Sequence, residues 1–406
     1  MRAYERMLNY VKIWTTSDSN SDTVPSTSRQ FDLAKILVEE MKELGVEDAH
    51  VDDKCYVYGT LPATRGYEDK TKLGFIAHLD TSEDISGKGV NPQIIENYDG
   101  EDIVLGNSGR IIKTEDFPHL KEFKGRTLIT TDGTTLLGAD DKAGIAEIMT
   151  AIEKIQKENI PHGKISIGFN PDEEIGTGAH NFDVEKFGAD FAYTLDGWLE
   201  GQIEYENFNA STALFEIRGI NVHPGSAKNI MVNSQLIAME INSMLPSNET
   251  PATTEGYEGF YHLMETTGSV EFSKLLYIVR DHDFDKFEQR NELLRNIEKI
   301  MNEKYGEGVV TLTIKHQYRN MKEKIEPCMH LIDNAKKAIK AVGLDPQVDA
   351  IRGGTDGAQL SFKGLPCPNL GTGGAAYHGA CEHISAEGMD KVVDIVLELV
   401  KIYAEN

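Results

Sequence analysis

Short apolar runs alternate with amphipathic helical segments along the first half of the chain, and this alternation is the strongest constraint on the fold. The runs at 72–77, 164–169 and 191–195 have the length and composition of buried strands, and each leads into an acidic turn. The apolar residues between 142 and 158 recur at helical spacing. Strands that alternate with helices favour a mostly parallel sheet with helices on both faces, so we predict an α/β fold.

The pattern changes near residue 209 and changes back near residue 322. Between these points the predicted order is strand, helix, two strands, helix and strand, which is the order of a ferredoxin-like α+β unit. A segment of about 115 residues has the usual size of a domain. We therefore predict a catalytic domain formed by residues 1–208 and 323–406, with an inserted lid domain at residues 209–322.

The composition restricts the partners of this chain. Aspartate and glutamate number 66 against 41 lysines and arginines, so the net charge is −25. Such a surface repels nucleic acid and anionic membranes, and we expect neither as a partner. The four cysteines contain no Cys-x-x-Cys pair, which favours reduced thiols. The first residues are charged, and no run approaches the roughly 20 apolar residues of a membrane span, so we expect a cytoplasmic protein.

Histidine and acidic residues fall at the carboxyl ends of the predicted strands or in the turns that follow them. In α/β sheets these ends lie along one edge, where binding sites form, so we expect the side chains to converge. Taken singly, each also fits an ordinary role as a helix cap, a solvated acidic residue or a surface histidine. Together they supply two histidines and three or more carboxylates, and the candidates are His78, Asp140, Glu173, Glu174, Asp196 and His378.

This set of donors is typical of a metal centre. Imidazole and carboxylate ligands suit zinc, with cobalt or manganese as substitutes. One carboxylate shared by two ions about 3.5–4 Å apart makes a two-metal hydrolytic site, which activates a water and polarises a carbonyl. In His78-Leu-Asp80 both side chains fall on one face of a strand, so the aspartate is placed to fix the tautomer of a ligating histidine.

Seven motifs occur in the order found in the co-catalytic zinc aminopeptidase–carboxypeptidase–aminoacylase family, which the chain resembles over essentially all 406 residues. Each motif alone is weak evidence, whereas seven in order are specific. The resemblance implies a dizinc aminopeptidase that removes the N-terminal residue from tripeptides by attack of a metal-bridging water, and it leaves a homodimer open. The motifs are His78–Asp80, Gly138–Gly144, Pro171–Gly176, Thr194–Gly197, His223–Gly225, Gly353–Gly357 and Tyr377–Gly379.

The same resemblance implies a metal-binding role for five residues. Each sits at the position that binds metal in the matching motif. Two zinc ions would be held, one by His78 and Asp196 and the other by Glu174 and His378, with Asp140 bridging them.

Two further residues would act beside the metal ions. By the same resemblance, Glu173 would be the general base and Asp80 would orient His78. The tail also contains His383, which is the alternative ligand to His378. We prefer His378 because it lies in the Tyr-His-Gly motif.

Substrate contacts would come from the inserted domain, through His223 and Arg280, and from Arg352 at the start of a Gly-rich turn of the catalytic domain. His223 would stabilise the oxyanion, and Arg280 and Arg352 match positions linked to substrate binding. A guanidinium suits the carboxylate at the end of a tripeptide. The alternative is that the two arginines pair with nearby acids, Asp281 or Asp356.

Other functions stay open at this point. A dipeptidase or an N-acyl amino acid deacylase would use the same dizinc chemistry. A metal-dependent phosphoesterase also uses carboxylate-bridged ions, but it needs more basic groups than the net charge of −25 suggests. An inactive binding protein is disfavoured because every matched ligand, and Glu173, is present.

Overall fold

The computed structural model describes residues 1–405, which form two compact units. Unit 1 contains residues 1–205, 321–349 and those from 355 onward. Unit 2 contains residues 206–320 and 350–354.

Strands and helices alternate between residues 128 and 197, as the sequence pattern predicts, whereas the strands between residues 47 and 131 follow one another without an intervening α-helix. The helices are α1 (Ala3–Tyr10), α2 (Gln30–Glu43), α3 (Ala139–Glu158), α4 (Val184–Phe187), α5 (Ser234–Ser243), α6 (Phe284–Tyr305), α7 (Lys322–Ile325), α8 (His330–Ala341), α9 (Asp356–Phe362) and α10 (Ala386–Glu405). The strands are β1 (Glu47–Val51), β2 (Val57–Leu61), β3 (Leu73–His78), β4 (Pro92–Ile95), β5 (Ile103–Leu105), β6 (Arg110–Ile112), β7 (Leu128–Thr131), β8 (Ile165–Asn170), β9 (Phe191–Gly197), β10 (Gln202–Asn207), β11 (Asn209–Arg218), β12 (Phe260–Gly268), β13 (Phe272–Asp281), β14 (Val310–Tyr318), β15 (Gln347–Ile351), β16 (Asn369–Gly371), β17 (Gly374–Ala375) and β18 (His383–Ser385).

The main sheet of the described chain has eight strands in the order β1-β2-β8-β3-β9-β16-β10-β15. The four central strands, β8, β3, β9 and β16, pair in parallel. The pairs β1·β2, β2·β8 and β10·β16 are antiparallel, so the sheet is mixed. The expected α/β class is confirmed, with parallel pairing among the four central strands.

Helices cover both faces of this sheet. Ala192 of β9 packs with Phe187 of α4 and Leu360 of α9 on one face. The next residue, Tyr193, points to the opposite face, where its hydroxyl donates to the Leu331 carbonyl of α8 at 2.7 Å. Because neighbouring strand residues face opposite ways, β9 is buried on both sides, which explains its continuous apolar sequence.

A second sheet of unit 1 has four short strands in the order β17-β18-β7-β4. Its strands come from both ends of the sequence, since β18 pairs with β7 through His383 opposite Thr130. Strands β5 and β6 form a separate hairpin. The pairing of β7 with the C-terminal segment was not predicted from the sequence.

Unit 2 has the order β-α-β-β-α-β and a four-stranded antiparallel sheet in the order β12-β13-β11-β14. Alternate residues of β11 are buried, and Ala213, Phe215 and Ile217 point into a core with α5 and α6. A period of two with one covered face is the signature of such a half-buried sheet. The predicted ferredoxin-like arrangement is confirmed.

No helix within residues 1–405 has both the length and the apolar character needed to cross a membrane.

Candidate active site

Parallel pairing brings the carboxyl ends of β3, β8 and β9 to one edge of the main sheet. His78 is the last residue of β3 and lies opposite Asn170, the last residue of β8. Asp196 is the penultimate residue of β9. Glu173 and Glu174 follow β8 by three and four residues. The parallel pairing of these strands therefore places four of the predicted residues at the same edge of the sheet.

The fifth predicted residue, Asp140, enters on the turn before α3. Asp140 and Asp141 have non-helical backbone angles, and the peptide bond between them is cis. The helix packs closely on β9, because a Cβ on Gly144 would lie 2.0 Å from the Leu195 carbonyl oxygen. Glycine is thus required for the helix to approach the strand that carries Asp196.

Asp140 lies between the two histidines. Its Oδ1 is 2.9 Å from Nε2 of His78, and its Oδ2 is 3.3 Å from Nε2 of His378. The two oxygens of one carboxylate therefore face two different imidazoles. This is the arrangement that a ligand shared by two cations would have.

Each histidine also faces a second carboxylate. Nε2 of His78 is 3.4 Å from Oδ1 of Asp196, and Nε2 of His378 is 2.9 Å from Oε2 of Glu174. His378 has a φ of +61°, which histidine adopts only when its surroundings hold it. All five predicted ligands are thus brought together by unit 1 alone.

Two overlapping groups of donors, which share His78, have the spacing that could hold a metal ion. The ligand atoms of His78, Asp141 and Asp196 lie within 4.8 Å of one another, and so do those of His78, Asp140 and Glu174. Oε1 of Glu174 is buried and has no hydrogen-bond partner within the described residues. Imidazole nitrogens with several carboxylate oxygens, one of them unsatisfied, fit a divalent cation such as zinc.

The electrostatics of the cluster also fit a cation. Burial and the neighbouring Asp140 raise the pKa of Glu174 to about 8. Hydrogen bonds with Asp140 and Glu174 raise the pKa of His378 to about 11. Burial opposes a charge on His78, but Asp196 and the other carboxylates raise its pKa well above the usual value. Crowded carboxylates that draw protons onto their neighbours would be stabilised by a metal ion.

Asp80 supports the cluster through two sets of contacts. Its fully buried carboxylate is 3.3 Å from Nδ1 of His78 and accepts the backbone N–H groups of Glu173 at 3.0 Å and Glu174 at 3.2 Å. It therefore holds both the ring of His78 and the loop after β8. With Nδ1 facing Asp80, Nε2 of His78 is the nitrogen turned toward the other carboxylates.

Glu173 is half-buried beside these groups. Within the described residues its carboxylate makes no hydrogen bond or ion pair with either histidine, whereas its neighbour Glu174 faces His378. Burial and the nearby Asp196 raise the pKa of Glu173 well above its usual value. A carboxyl group in such surroundings holds a proton readily, which a proton-transfer role requires.

The three predicted substrate-binding residues all belong to unit 2. His223 is exposed, and its Nδ1 accepts the Gly225 N–H at 3.1 Å. Arg280 is buried, donates to the carbonyl oxygens of Ser211 and Val279, and lies 5.3 Å from the centre of the Tyr318 ring.

Arg352 holds a loop of unit 2. Its guanidinium donates to the carbonyl oxygens of Gly256 at 2.6 Å, Glu258 at 2.9 Å and Thr254 at 3.4 Å. The acids considered as alternative partners are engaged elsewhere: Asp281 pairs with Arg290 at 2.8 Å, and Asp356 accepts from Asn170 at 2.8 Å.

Three residues near the site had no predicted role as ligands or bases. Asp141 accepts the N–H groups of His78 and Gly144 and so supports the turn before α3. Asp84 lies 3.3 Å from Nδ1 of His378. Glu382 accepts three backbone N–H groups from the turn that carries Asp140. Its position four residues after His378 was the only sequence signal for it.

His383 lies away from the ligand cluster. Its Nε2 is 2.8 Å from Nε2 of His119, and its Nδ1 is 2.7 Å from the Cys381 carbonyl oxygen. Both ring nitrogens are therefore engaged by other groups. The contacts of Asp140 and Glu174 are with His378, the preferred candidate.

Solved structures share this fold. An aminopeptidase PepT from Bacillus cereus matches with a TM-score of 0.79 and 23% identity, covering 100% of this chain and 98% of that one. A tripeptidase from Staphylococcus aureus matches with a TM-score of 0.80, 23% identity and the same coverage. A dinuclear metal-binding peptidase of the M20 family from Bacillus subtilis, 13% identical, matches with a TM-score of 0.67 and 99% coverage of both chains. The fold is that of the M20 peptidases.

Curated relatives identify the family more closely. Residues 205–309 match the family model described as a peptidase dimerisation domain. The chain is 57% identical over 406 residues to a peptidase T from Clostridium perfringens, with 100% of both chains covered. It is 55% identical over 405 residues to a peptidase T from Alkaliphilus oremlandii, with 99% of both covered. The chain belongs to the peptidase T family and is a hydrolase acting on peptide bonds, which confirms the resemblance drawn from the motifs.

Proposed function

We propose that this protein is a dizinc aminopeptidase that removes the N-terminal residue from tripeptides. The observation that carries the proposal is Asp140, whose two oxygens face Nε2 of His78 and Nε2 of His378. A relative from Clostridium perfringens named peptidase T and a structural neighbour named as a tripeptidase support this choice of substrate. Zinc is the ion that this mixture of imidazole and carboxylate donors favours.

The proposed ligands divide between two ions. His78 and Asp196 would hold one ion, Glu174 and His378 the other, and Asp140 both. When bound, such ions lower the pKa of a coordinated water toward 7 and polarise the carbonyl of the scissile peptide bond.

The remaining proton chemistry is assigned to this chain's own residues. Asp80 would keep Nδ1 of His78 protonated, because its backbone carbonyl oxygen lies 3.1 Å and its carboxylate 3.3 Å from that nitrogen. Glu173 would take a proton from the attacking water and deliver it to the leaving amine. The raised pKa of Glu173, caused by burial and Asp196, suits a group that must hold that proton at neutral pH.

We further propose that unit 2 contributes to substrate binding. His223 is exposed and would donate to the oxyanion. Arg280 and Arg352 are the candidates for the carboxylate of the tripeptide. Arg352 would have to exchange part of its bonding to the carbonyls of residues 254–258 for that contact.

Two properties of the whole protein complete the proposal. Two copies would associate through the segment 205–309, since it matches a dimerisation domain. Leu236 and Met239 on α5 are 62% and 67% exposed, so this helix offers apolar surface to a second copy. Light scattering would measure the mass. All four cysteines are free thiols, which favours the cytoplasm.

The test is the variant Glu173→Gln, which keeps the size of the side chain but cannot accept the proton. We expect kcat on a tripeptide to fall by roughly 10²–10⁴-fold while two zinc ions per chain are retained. Glu185→Gln, an exposed position on α4, is the matched control. Products are identified by mass, with a dipeptide, an N-acyl amino acid and a phosphoester as competing substrates.

Each outcome has a clear meaning. Release of a free amino acid and a dipeptide from the tripeptide supports the proposal. Faster cleavage of the dipeptide or the N-acyl amino acid would show that the preferred substrate is that compound and not a tripeptide. Wild-type turnover in Glu173→Gln, or loss of its metal, would show that the base is misassigned.

A further inference from the structure

Glu382 is buried beneath the turn that carries Asp140. The residue is 1% exposed, and its carboxylate accepts three backbone N–H groups from one short stretch of chain. Oε2 accepts from Leu137 at 2.6 Å and from Gly138 at 2.8 Å, while Oε1 accepts from Asp140 at 3.1 Å. A carboxylate that accepts several backbone N–H groups fixes the position of that backbone more firmly than neutral acceptors do.

Asp141 accepts the Gly144 N–H at 3.2 Å and so caps the first regular turn of the helix, whereas the N–H groups held by Glu382 precede that turn. Gly138 occupies the N-cap position of α3 with a φ of +78° and provides no side chain to accept from the helix. Asp140 and Asp141 depart from helical geometry, so their N–H groups are not in a regular helical turn. Glu382 supplements this cap, because it accepts the N–H groups just before the helix although it lies 242 residues from Asp140 in sequence.

The segment that carries Glu382 also carries His378. His378 faces Oδ2 of Asp140 at 3.3 Å, while Glu382, four residues later, holds the Asp140 N–H. The Glu382 N–H donates to the Gly379 carbonyl at 3.2 Å, which closes the chain between them into a turn. One short segment thus contacts both the side chain and the backbone of Asp140.

We propose that Glu382 is a positioning residue, which sets the backbone of Asp140 so that its two oxygens reach both metal sites. This rests on the proposed function, because it assumes that Asp140 is shared by two ions. The residue touches neither substrate nor metal. Removing a group that orients a ligand typically costs 10–100-fold in metal affinity or activity.

The sharpest variant is Glu382→Gln. A glutamine can keep its oxygen toward the N–H groups of Leu137 and Gly138, but then its NH₂ group opposes the N–H of Asp140. The change therefore removes chiefly the bond to Asp140. Glu387→Gln is the matched control, since Glu387 lies in the same segment and accepts the backbone N–H of Thr127 at 2.8 Å.

The readout is cobalt(II) titration of the metal-free full-length protein, followed by the visible absorption of the bound ion, together with kcat, KM and the melting temperature. We expect wild type and Glu387→Gln to bind two ions. Glu382→Gln should bind one of them about 10–100-fold more weakly, with an altered cobalt spectrum. Its kcat should fall while KM stays near the wild-type value.

Several results would overturn the proposal. The proposal is wrong if Glu382→Gln keeps the wild-type metal affinity, cobalt spectrum and kcat. It is also wrong if Glu382→Gln and Glu387→Gln lose metal affinity and kcat to the same extent. If Glu382→Gln does not fold, Glu382→Asp, which keeps the charge, is judged by the same titration. If neither variant folds, the role is structural and the positioning role is wrong. A wild-type protein that binds fewer than two ions would instead contradict the proposed function.

Discussion

The pair of His119 and His383 in unit 1, of which His383 is buried and His119 half-buried, should make that unit sensitive to mild acid. Nδ1 of His383 lies 2.7 Å from the Cys381 carbonyl and so carries its proton as a donor. Nε2 of His383 must then accept from Nε2–H of His119 at 2.8 Å. A proton added to His383 would place two N–H groups against each other, so the folded state keeps this ring neutral.

The magnitude follows from the pKa of His383. Burial and the adjacent His119 lower the pKa of His383 to about 4, against about 6.5 in an unfolded chain. Between these values the unfolded chain binds a proton that the folded chain does not. Stability therefore falls as the pH drops from about 6.5 to about 4 and levels off below that. At 1.36 kcal/mol per pKa unit, the loss linked to His383 is about 3 kcal/mol.

The assay is urea unfolding followed by tryptophan fluorescence between pH 7 and pH 4. Both tryptophans, Trp14 and Trp198, belong to unit 1, so the signal reports the unit that contains the pair. His383→Gln should be less stable than wild type at pH 7 but should lose less on acidification. Replacement of the exposed His180 by glutamine controls for the loss of a histidine.

The decisive quantity is the difference in unfolding free energy between wild type and His383→Gln. Acid also protonates the carboxylates and histidines of the site, but that contribution is common to wild type and both variants. The difference in unfolding free energy between wild type and His383→Gln should therefore shrink by about 3 kcal/mol from pH 7 to pH 4. If the two proteins lose stability in parallel, the neutral histidine pair is not the source of the acid sensitivity.

Three outcomes concern the proposed active site. Asp140→Ala should lose more metal than His78→Ala or His378→Ala, because its two oxygens face both histidines; a variant that still holds two ions would exclude a shared ligand. His223→Ala should lower kcat by roughly 10²–10³-fold at unchanged metal content if it stabilises the oxyanion, and an unchanged kcat would remove that role. A C-terminally amidated tripeptide should be a poor substrate because it offers a guanidinium no carboxylate, and Arg280→Ala or Arg352→Ala should lose this preference. Equal cleavage of amide and acid by wild type would contradict the carboxylate contact.

Local sequence was sufficient for most helices and strands. The apolar period predicts a helix at Phe284–Lys304, and the structure has Phe284–Tyr305. It predicts a strand at Ser211–Arg218, and the structure has Asn209–Arg218. These elements are amphipathic, so the residues that recur as apolar in the sequence are the ones that form the buried face in the structure. The domain limits drawn from the same pattern, at 209 and 322, stay predictions.

Short or polar strands were missed. The strand Gln202–Asn207 contains glutamine, asparagine and two glutamates, and only Ile203 and Tyr205 favour a strand. It forms because it pairs with β16, which lies far along the chain. Strand β18 likewise depends on β7, more than 250 residues earlier. Pairing partners at such separations leave no periodic signal in either segment.

The sequence by itself determined which chemical groups reach the edge of the sheet. His78 and Asp196 end apolar strands, and parallel strands must end together, so convergence follows from local pattern and sheet geometry. Only the tertiary structure decided how they meet. A side-chain oxygen of Asp140 faces His378, and Glu382 accepts the backbone N–H of Asp140. Both contacts join segments that lie more than 230 residues apart in sequence. Such contacts depend on how whole elements pack, because hydrogen bonds need their atoms within about 3 Å and no local period specifies that distance.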